Sequence, residues 1–146
     1  MEIFECKKYI WEIFRKYHYL NHNISKTSQC FCGIIDKTIV SFISIINFSH
    51  PKVKNLKKVH RLVVLPDFQG LGIGKKMMDF VCKIYKKNYN IGITTSQPSL
   101  IFSLKNDKNW KCIFFGKMGS HTNEKLKKVD SSNRLTASFY FQNDII

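Results

Sequence analysis

The chain has 146 residues, 44% of them hydrophobic, and its 24 Lys and Arg against 10 Asp and Glu give a formal net charge of +14. This length suits one domain over residues 1–146 with a sizeable apolar core. The five cysteines are an odd number, no secretory signal is evident, and no apolar run reaches the ~20 residues that span a bilayer. We therefore expect a cytoplasmic protein with reduced thiols and no membrane segment.

The first predicted element is a helix. Apolar residues recur at helical spacing over residues 3–17, which indicates an amphipathic helix. Residues 21–28 are polar and are expected to form a loop.

A β-hairpin is predicted next. Residues 29–35 and 38–48 are rich in β-branched and apolar side chains, and Asp36 and Lys37 between them suit a tight turn. The first strand contains a pair of cysteines two residues apart, which we expect on one face and in the core. A zinc site is not expected, because no second cysteine pair or nearby histidine accompanies them. The cysteines of this pair are Cys30 and Cys32.

The second half of the chain alternates strands and helices. A strand is predicted over residues 59–65 and a helix over residues 72–87, with Ile73, Met77, Phe80, Val81 and Ile84 facing inward. The remaining predictions are a strand at 91–96, a helix from Pro98, and an antiparallel pair at 110–116 and 134–142.

The most informative segment is a glycine-rich turn between the strand at 59–65 and the following helix. Pro66 ends the strand because it has no N–H to donate. The turn carries Gly70, Gly72 and Gly74, whose missing side chains let the backbone approach a ligand closely. The first N–H groups of a helix are unpaired and lie at the positive end of its dipole. The turn is therefore predicted to bind a diphosphate.

Two familiar phosphate-binding motifs do not fit this turn. A Walker loop has Ser or Thr after Gly-Lys to hold magnesium, whereas Lys76 follows Gly74 and Lys75. A dinucleotide fingerprint counted from Gly70 needs glycine at the sixth place, which is Lys75, and an acid about 20 residues further on, where none lies. ATP hydrolysis and dinucleotide binding are therefore not expected.

The residues that do fit a known motif are Val64, Pro66, Gln69, Gly72 and Gly74. They resemble the acyl-CoA signature of the GCN5-related N-acetyltransferase (GNAT) family: Gln or Arg, two residues, Gly, one residue, Gly or Ala, after a Val-x-Pro lead-in. The order of predicted elements resembles that of the family over nearly the whole chain, although residues 1–3 leave almost no room for the family's first strand. The resemblance implies an α/β GNAT fold, with a mixed, mostly antiparallel central sheet, splayed central strands and flanking helices.

The resemblance also implies acetyl-CoA as the acyl donor, bound with its thioester between the strands that splay beyond the turn. The turn amides would hold the CoA diphosphate, and the preceding strand would bond the pantetheine arm as an added strand does. The residues implied in cofactor binding are Val63, Val64, Leu65, Gln69, Gly70, Leu71, Gly72, Ile73, Gly74 and Lys75.

Direct acetyl transfer requires a base for the amine and an N–H for the oxyanion. The resemblance implies a backbone N–H of the cofactor strand as the oxyanion donor, and we expect that of Val64. His60 is a candidate base because it lies four residues earlier, hence on the same face, and titrates near neutrality. The alternative is a histidine hydrogen-bonded at the strand's entrance. Ser96 either bonds the pantetheine arm or the thiolate, or caps the helix that begins near Pro98.

The general acid is where the chain departs from the family. Relatives commonly place Tyr five residues before the aromatic that begins the next strand, and counting back from Trp110 reaches Lys105. The usual acid is therefore missing. Transfer can proceed without it, because a thiolate with a pKa of about 8.5 is a tolerable leaving group.

The sequence does not define the acceptor amine. His18 and Tyr19 lie where this fold usually forms its acceptor wall, and they either stack on a nucleobase or pack against the core. Together with the strand at 134–139, this segment also resembles small acetyltransferase-like proteins of phages and mobile elements. These include Mom-type proteins, which modify adenine in DNA.

Lysine clusters at residues 52–58, 83–87 and 125–128 make nucleic acid a candidate partner, although an ordinary solvated surface explains each cluster as well. Three hypotheses follow. The leading one is an N-acetyltransferase acting on a primary amine of a protein, a nucleic-acid-linked group or a small molecule. The others are a Mom-like DNA-modifying enzyme and a non-catalytic module that binds nucleic acid or protein. The oligomeric state is not indicated.

Overall fold

The computed structural model describes residues 1–18, 22–117 and 134–142. These fall into two compact units, one spanning residues 1–91 and the other beginning at Gly92. Seven mostly antiparallel strands and three α-helices lie within the described residues, which confirms the predicted class of mixed α/β fold. One domain over residues 1–146 and a splay between central strands stay predictions.

The first unit contains four strands, each antiparallel to the next along the chain. They are β1 (Glu2–Cys6), β2 (Gln29–Ile35), β3 (Thr38–Phe48) and β4 (Leu56–Val64), with helices α1 (Trp11–Phe14) and α2 (Ile73–Lys86).

The second unit contains most of β5 and the elements that follow it. They are β5 (Asn90–Thr95), α3 (Pro98–Lys105), β6 (Trp110–Lys117) and β7 (Leu135–Phe141). Strand β7 lies between β5 and β6 and is antiparallel to both, which confirms the predicted final pair. No helix in the described part of the chain is long and apolar enough to cross a membrane.

The predicted hairpin is confirmed in its bounds and its turn. Asp36 and Lys37 both have positive φ, 46° and 64°, which is the geometry of a type I′ turn. Such a turn matches the right-handed twist of the flanking strands, so it sets the pairing of Ile35 with Thr38. Cys30 and Cys32 are buried and unbridged, as predicted for core residues.

The predicted helix over residues 3–17 is wrong in its first third. Glu2–Cys6 forms strand β1, which pairs along β2 from Glu2 opposite Ile34 to Cys6 opposite Cys30. The expected lack of a first strand is therefore also wrong. Pairing with the edge of β2 satisfies the backbone of this segment, and this tertiary gain outweighs the local helical spacing.

The remainder of that segment is helical but irregular, with α1 between two 3₁₀ turns at Lys8–Ile10 and Arg15–Tyr17. Its inward side chains are Trp11 and Phe14, which pack on Phe42 with ring centroids 5.3 and 5.7 Å apart. The Trp11 indole N–H donates to the carbonyl of His22 at 2.7 Å.

Helix α2 lies within one residue of its predicted bounds, but its buried face is displaced. Phe80 and Ile84 are 42% and 49% exposed, whereas Met78 and Cys82 are fully buried. At 100° per residue, Phe80 and Ile84 lie roughly 90° from the centre of the buried stripe. Gly74 lies near that centre.

Candidate cofactor and active site

The glycine-rich turn follows β4 within the first unit. After Val64 the chain makes a 3₁₀ turn at Pro66–Phe68, and α2 begins at Ile73. Gly70 and Gly72 have φ of 80° and 72°, a left-handed conformation that favours glycine. A Cβ placed on either glycine would meet no atom within 4 Å, so the turn is open on that side.

The backbone amides of the turn are available to a ligand. The Gln69 N–H donates to the Pro66 carbonyl at 3.2 Å, and the Lys76 N–H donates to the Gly72 carbonyl at 3.1 Å. Within the described residues, the N–H groups of residues 70–74 have no hydrogen-bond partner from the chain. Five consecutive open amides before and at a helix N-terminus form a cradle for an anion.

The charges around this turn favour an anion too. The first turn of α2 contains no acidic residue. Lys75 forms an ion pair with Asp79 at 2.6 Å, one turn further along, and Lys76 is exposed. Lysines at a helix N-terminus oppose the helix dipole, at a cost of about 0.3–1 kcal/mol each. A bound polyanion would offset that cost.

Two contacts hold the turn against the end of β4. The side-chain amide of Gln69 donates to the Val64 carbonyl at 3.0 Å. Gly74 packs on the same strand end, where an added Cβ would lie at ordinary van der Waals distances of 3.4 Å from a methyl group of Val64 and 3.8 Å from Leu62. The motif residues therefore position the amides of the turn against the strand.

The backbone of β4 presents alternate residues to its two sides. Leu65 donates its N–H to the Val40 carbonyl at 2.9 Å, so this pair is hydrogen-bonded across β3 and β4. In an antiparallel ladder the next pair, Val64 and Ser41, is not hydrogen-bonded, and its N–H and C=O groups point away from each other. The Val64 N–H therefore faces away from β3, whereas those of Val63 and Leu65 face it.

His60 is the extra residue of a β-bulge in β4. Arg61 pairs with Ser44 and Val59 pairs with Ile45, so no residue of β3 stands opposite His60. The bulge interrupts the alternation of side chains and turns His60 towards the same loop that Arg61 contacts. The expectation that His60 shares a face with Val64 assumed a regular strand, and the bulge removes that basis.

The imidazole of His60 is held uncharged. The Ser25 N–H donates to Nε2 at 3.3 Å, and a guanidinium nitrogen of Arg61 lies 3.4 Å from Nδ1. Burial, together with the positive charges of Arg61 and His18, lowers the pKa of His60 from 6.5 to about 4. At neutral pH the ring accepts a hydrogen bond and carries no charge, and as a base it is weaker than a free histidine.

Sequence reasoning missed Arg61, which organises the loop beside His60. Its Nε and Nη2 donate to the Asn23 carbonyl at 3.2 and 2.7 Å, and its Nη1 donates to the His60 carbonyl at 2.9 Å. These bonds hold residues 22–25 against β4. The partners are backbone carbonyls of a loop distant in sequence, so no local signal pointed to them.

Of the two predicted acceptor residues, only His18 lies in the described part of the chain. Its ring packs edge-on against Trp11, with centroids 5.9 Å apart, and its charge contributes to the lowered pKa of His60. The structure therefore brings His18 and His60 to one place. Tyr19 and the lysine cluster at 125–128 lie outside the described residues.

Two further predicted positions lie in the second unit. The Ser96 hydroxyl is 2.9 Å from that of Thr136, and the N-terminal cap of α3 is Gln97, whose N–H donates to the Thr95 hydroxyl at 3.2 Å. The alternative role of Ser96 as a helix cap is therefore wrong. The Lys105 ammonium lies over the Phe115 ring, 3.3 Å from its centroid.

Metal ligands were not expected in the sequence. In the three described stretches, no group of three or more His, Cys, Asp or Glu is arranged to hold a metal ion. Cys6, Cys30 and Cys32 lie near one another, and burial raises the pKa of the Cys30 thiol to about 11. The Cys30 thiol is therefore protonated at neutral pH and is a poor ligand and nucleophile.

The fold and the turn define a class of protein. Residues 26–119 match the acetyltransferase (GNAT) domain family, and the chain belongs to that family. A search of curated proteins gave no match.

Solved structures share the fold at low identity. The ribosomal-protein-S18-alanine N-acetyltransferase of Escherichia coli has a TM-score of 0.69 at 8% identity, covering 99% of this chain and 95% of that one. A Bacillus subtilis acetyltransferase in complex with CoA has a TM-score of 0.62 at 13% identity, covering 97% and 96%. A protein assigned as a streptothricin acetyltransferase from Bacillus anthracis, in complex with acetyl coenzyme A, has a TM-score of 0.60 at 15% identity. The match covers 82% of this chain and 65% of that one. The resemblance to Mom-type and mobile-element proteins stays a prediction.

Proposed function

We propose that this protein transfers an acetyl group from acetyl-CoA to a primary amine within a ternary complex. The observation that carries the proposal is the run of open amides at residues 70–74, at the start of a helix whose first turn lacks acidic residues. A diphosphate satisfies these donors and matches the helix dipole. Family membership supports acetyl-CoA as its source, as do the CoA and acetyl-CoA complexes of two structurally similar proteins.

Within this proposal, the open amides of residues 70–74 bind the diphosphate, and Gln69, whose own N–H donates to Pro66, holds the turn against the strand through its side chain. Val64 is the residue of the strand end whose N–H is directed away from β3, so it is our candidate donor to the thioester oxygen. Val63 and Leu65 direct their amides towards β3, and they contribute through side-chain packing and through the strand's shape. Lys75 lies beside the diphosphate, and its ion pair with Asp79 offsets its positive charge.

The proposed chemistry is direct transfer. The neutral amine attacks the thioester carbon, a C–N bond forms, and the Val64 N–H stabilises the tetrahedral oxyanion. The C–S bond then breaks, CoA leaves as the thiolate, and the amine loses one proton to a base. Lys105 replaces the usual tyrosine, so the thiolate leaves without a dedicated protein acid. Ser96 is proposed to donate its hydroxyl to the pantetheine arm or to the thiolate.

His60 is our candidate base, acting directly or through a water molecule. Its ring is uncharged at neutral pH, but both ring nitrogens face N–H donors and a pKa of about 4 makes the transfer less favourable than it would be for a free histidine. An amine that is already deprotonated when it binds can attack at once, so a weak base such as His60 has only to take the proton released afterwards. His18 and Tyr19 are proposed to contact the acceptor, because His18 lies beside His60.

The decisive experiment is acetyl-CoA-dependent release of free thiol with a panel of amines, monitored together with CoA binding by calorimetry. The panel spans peptide N-termini, lysine peptides, aminoglycosides and amino-modified nucleosides. Thiol release with one amine class, and mass spectrometry showing one added acetyl group on it, supports the proposal. Tight CoA binding with no transfer to any class indicates a non-catalytic module, and absence of CoA binding refutes the site.

A further inference from the structure

A second concave surface lies at the other end of β4 from the glycine-rich turn. The loop that joins β3 to β4 encloses a groove of about 510 Å³ with residues at the ends of both strands and with Tyr89. Its lining includes Phe48, His50, Lys54, Asn55 and Tyr89. Eight residue steps of about 3.3 Å separate the two ends of β4, so the groove lies roughly 26 Å from the turn.

The groove is held open by bonds within the first unit. The ring Nδ1 of His50 accepts the N–H groups of Lys52 and Val53 at 3.2 and 3.1 Å, which fixes the path of the loop. Asn90 fixes the end of the loop through two hydrogen bonds. Its backbone N–H donates to the Asn55 carbonyl at 2.9 Å, and its side-chain amide donates to the Lys54 carbonyl at 3.0 Å. The groove is therefore preformed in the absence of a ligand.

The charge of this region has one sign. Residues 37–66 contain six Lys and Arg and no Asp or Glu. Lys52 and Lys54 are exposed on the loop, and the Lys58 ammonium lies over the Phe48 ring, 4.1 Å from its centroid. Positive charge without acidic neighbours in the same segment gives an attractive field for a polyanion.

A buried lysine adds to that field from beneath the groove. Lys57 is 3% exposed, and its ammonium donates to the side-chain oxygens of Gln29 and Asn47 at 2.8 Å each. It also lies 4.7 and 4.5 Å from the ring centroids of Tyr85 and Tyr89. All these partners are neutral, and no carboxylate in the described residues forms an ion pair with Lys57. No ion pair therefore offsets its charge within that part of the chain.

We propose that this groove binds single-stranded nucleic acid, with one phosphate at Lys54 in the groove, a neighbouring phosphate at Lys52 on the same loop, and a base against the aromatic rings of Tyr89 and Phe48. A basic groove lined by aromatic rings is how proteins commonly hold single strands, because phosphates need cations and every base has a face that stacks. An acidic peptide would use the lysines and leave the rings without a matching partner. The site is separate from the acetyl-CoA turn and does not depend on transferase activity.

The test measures binding of the full-length protein to fluorescein-labelled oligo(dT) of about 12 nucleotides, by anisotropy, between about 50 and 200 mM NaCl. The test variant is Lys52→Gln/Lys54→Gln, in which Lys54 lines the groove and Lys52 lies two residues away on the same loop. The control variant is Lys16→Gln/Lys37→Gln, which removes two exposed lysines outside that loop. We expect the test variant to bind about tenfold more weakly at low salt. Its slope of log K against log salt should fall by about 1.4, since each lost phosphate contact on a single strand contributes about 0.7. The control variant should keep its affinity within about twofold.

The contribution of the bases is tested on the ligand, so it does not require a variant at Tyr89. An abasic strand of the same length and charge should bind at least about fivefold more weakly than oligo(dT). Equal binding of the abasic strand, equal competition by polyglutamate of matched charge, or an equal loss in the control variant would each overturn the proposal. Saturating CoA should leave oligonucleotide binding unchanged, and displacement by CoA would show that the lysines of the turn are the true site.

Discussion

The substitution Gly72→Asp tests the diphosphate cradle most directly. Gly72 precedes the first residue of α2 with φ of 72°, and its missing Cβ faces open space. Aspartate tolerates this conformation better than most residues, and a negative charge at a helix N-terminus contributes about 0.3–1 kcal/mol of stability. The variant should therefore fold, with a free energy of unfolding within about 1 kcal/mol of the parent. What changes is the electrostatic environment of the cradle.

The expected loss of CoA affinity follows from Coulomb's law. A carboxylate about 5 Å from a phosphate charge, at an effective dielectric constant of about 20, is repelled by roughly 3 kcal/mol. That energy corresponds to a loss of about 100-fold in affinity. Screening reduces it, so the loss should shrink as the ionic strength rises.

The matched control is Gly72→Asn, which has almost the same shape and also tolerates positive φ but carries no charge. Calorimetric titration of CoA into both variants separates the two effects. We expect the asparagine variant to lose no more than about tenfold and the aspartate variant about 100-fold. Equal affinities of the two variants would show that charge at residue 72 does not meet the diphosphate. Parent affinity in both would refute the site.

Four further predictions concern the acid–base chemistry and the packing of the first unit. His60→Ala should lower kcat at least about tenfold and leave CoA affinity unchanged, and an unchanged kcat would remove His60 from the mechanism. Because the folded state lowers the pKa of His60 to about 4, its neutral form stabilises the fold fully above pH 6.5 and loses that contribution towards pH 4. Between pH 7 and 5, the free energy of unfolding of the parent, measured in urea, should therefore fall by about 1 kcal/mol more than that of His60→Gln, after allowance for solvent screening. Equal falls in the two proteins would contradict this. Gly33→Ala should lower the free energy of unfolding by about 1–3 kcal/mol, because its Cβ would lie 2.3 Å from the Ser41 hydroxyl oxygen. Gly74→Ala should lower it by less than about 1 kcal/mol. Similar urea midpoints for the two variants would show that both sites relax equally well. Trp11→Phe should lower the free energy of unfolding in urea by about 1–3 kcal/mol, because the His22 carbonyl loses its indole donor. An unchanged free energy of unfolding would show that water replaces the indole N–H.

Local chemistry predicted most elements of this chain and the cofactor turn. Alternating β-branched residues and an Asp36-Lys37 turn specify the hairpin, because their preferences act within a few residues. The turn at residues 69–75 is equally local, since glycines that need positive φ and a proline that ends a strand act on their own backbone. Its open amides follow from the start of a helix and require no partner elsewhere in the chain.

Contacts between residues distant in sequence decided the rest. Strand β1 exists because β2 offers an unpaired edge, which a helical spacing of apolar residues cannot reveal. The surroundings of His60 depend on a bulge against β3 and on a loop held by Arg61, and together they give a neutral imidazole with a lowered pKa. The amino-acid sequence thus determined the fold class and the glycine-rich turn with its open amides through short-range backbone preferences. Only the tertiary structure decided which strands pair, which faces are buried and how His60 titrates, because pairing, desolvation and charge all depend on neighbours brought close by folding.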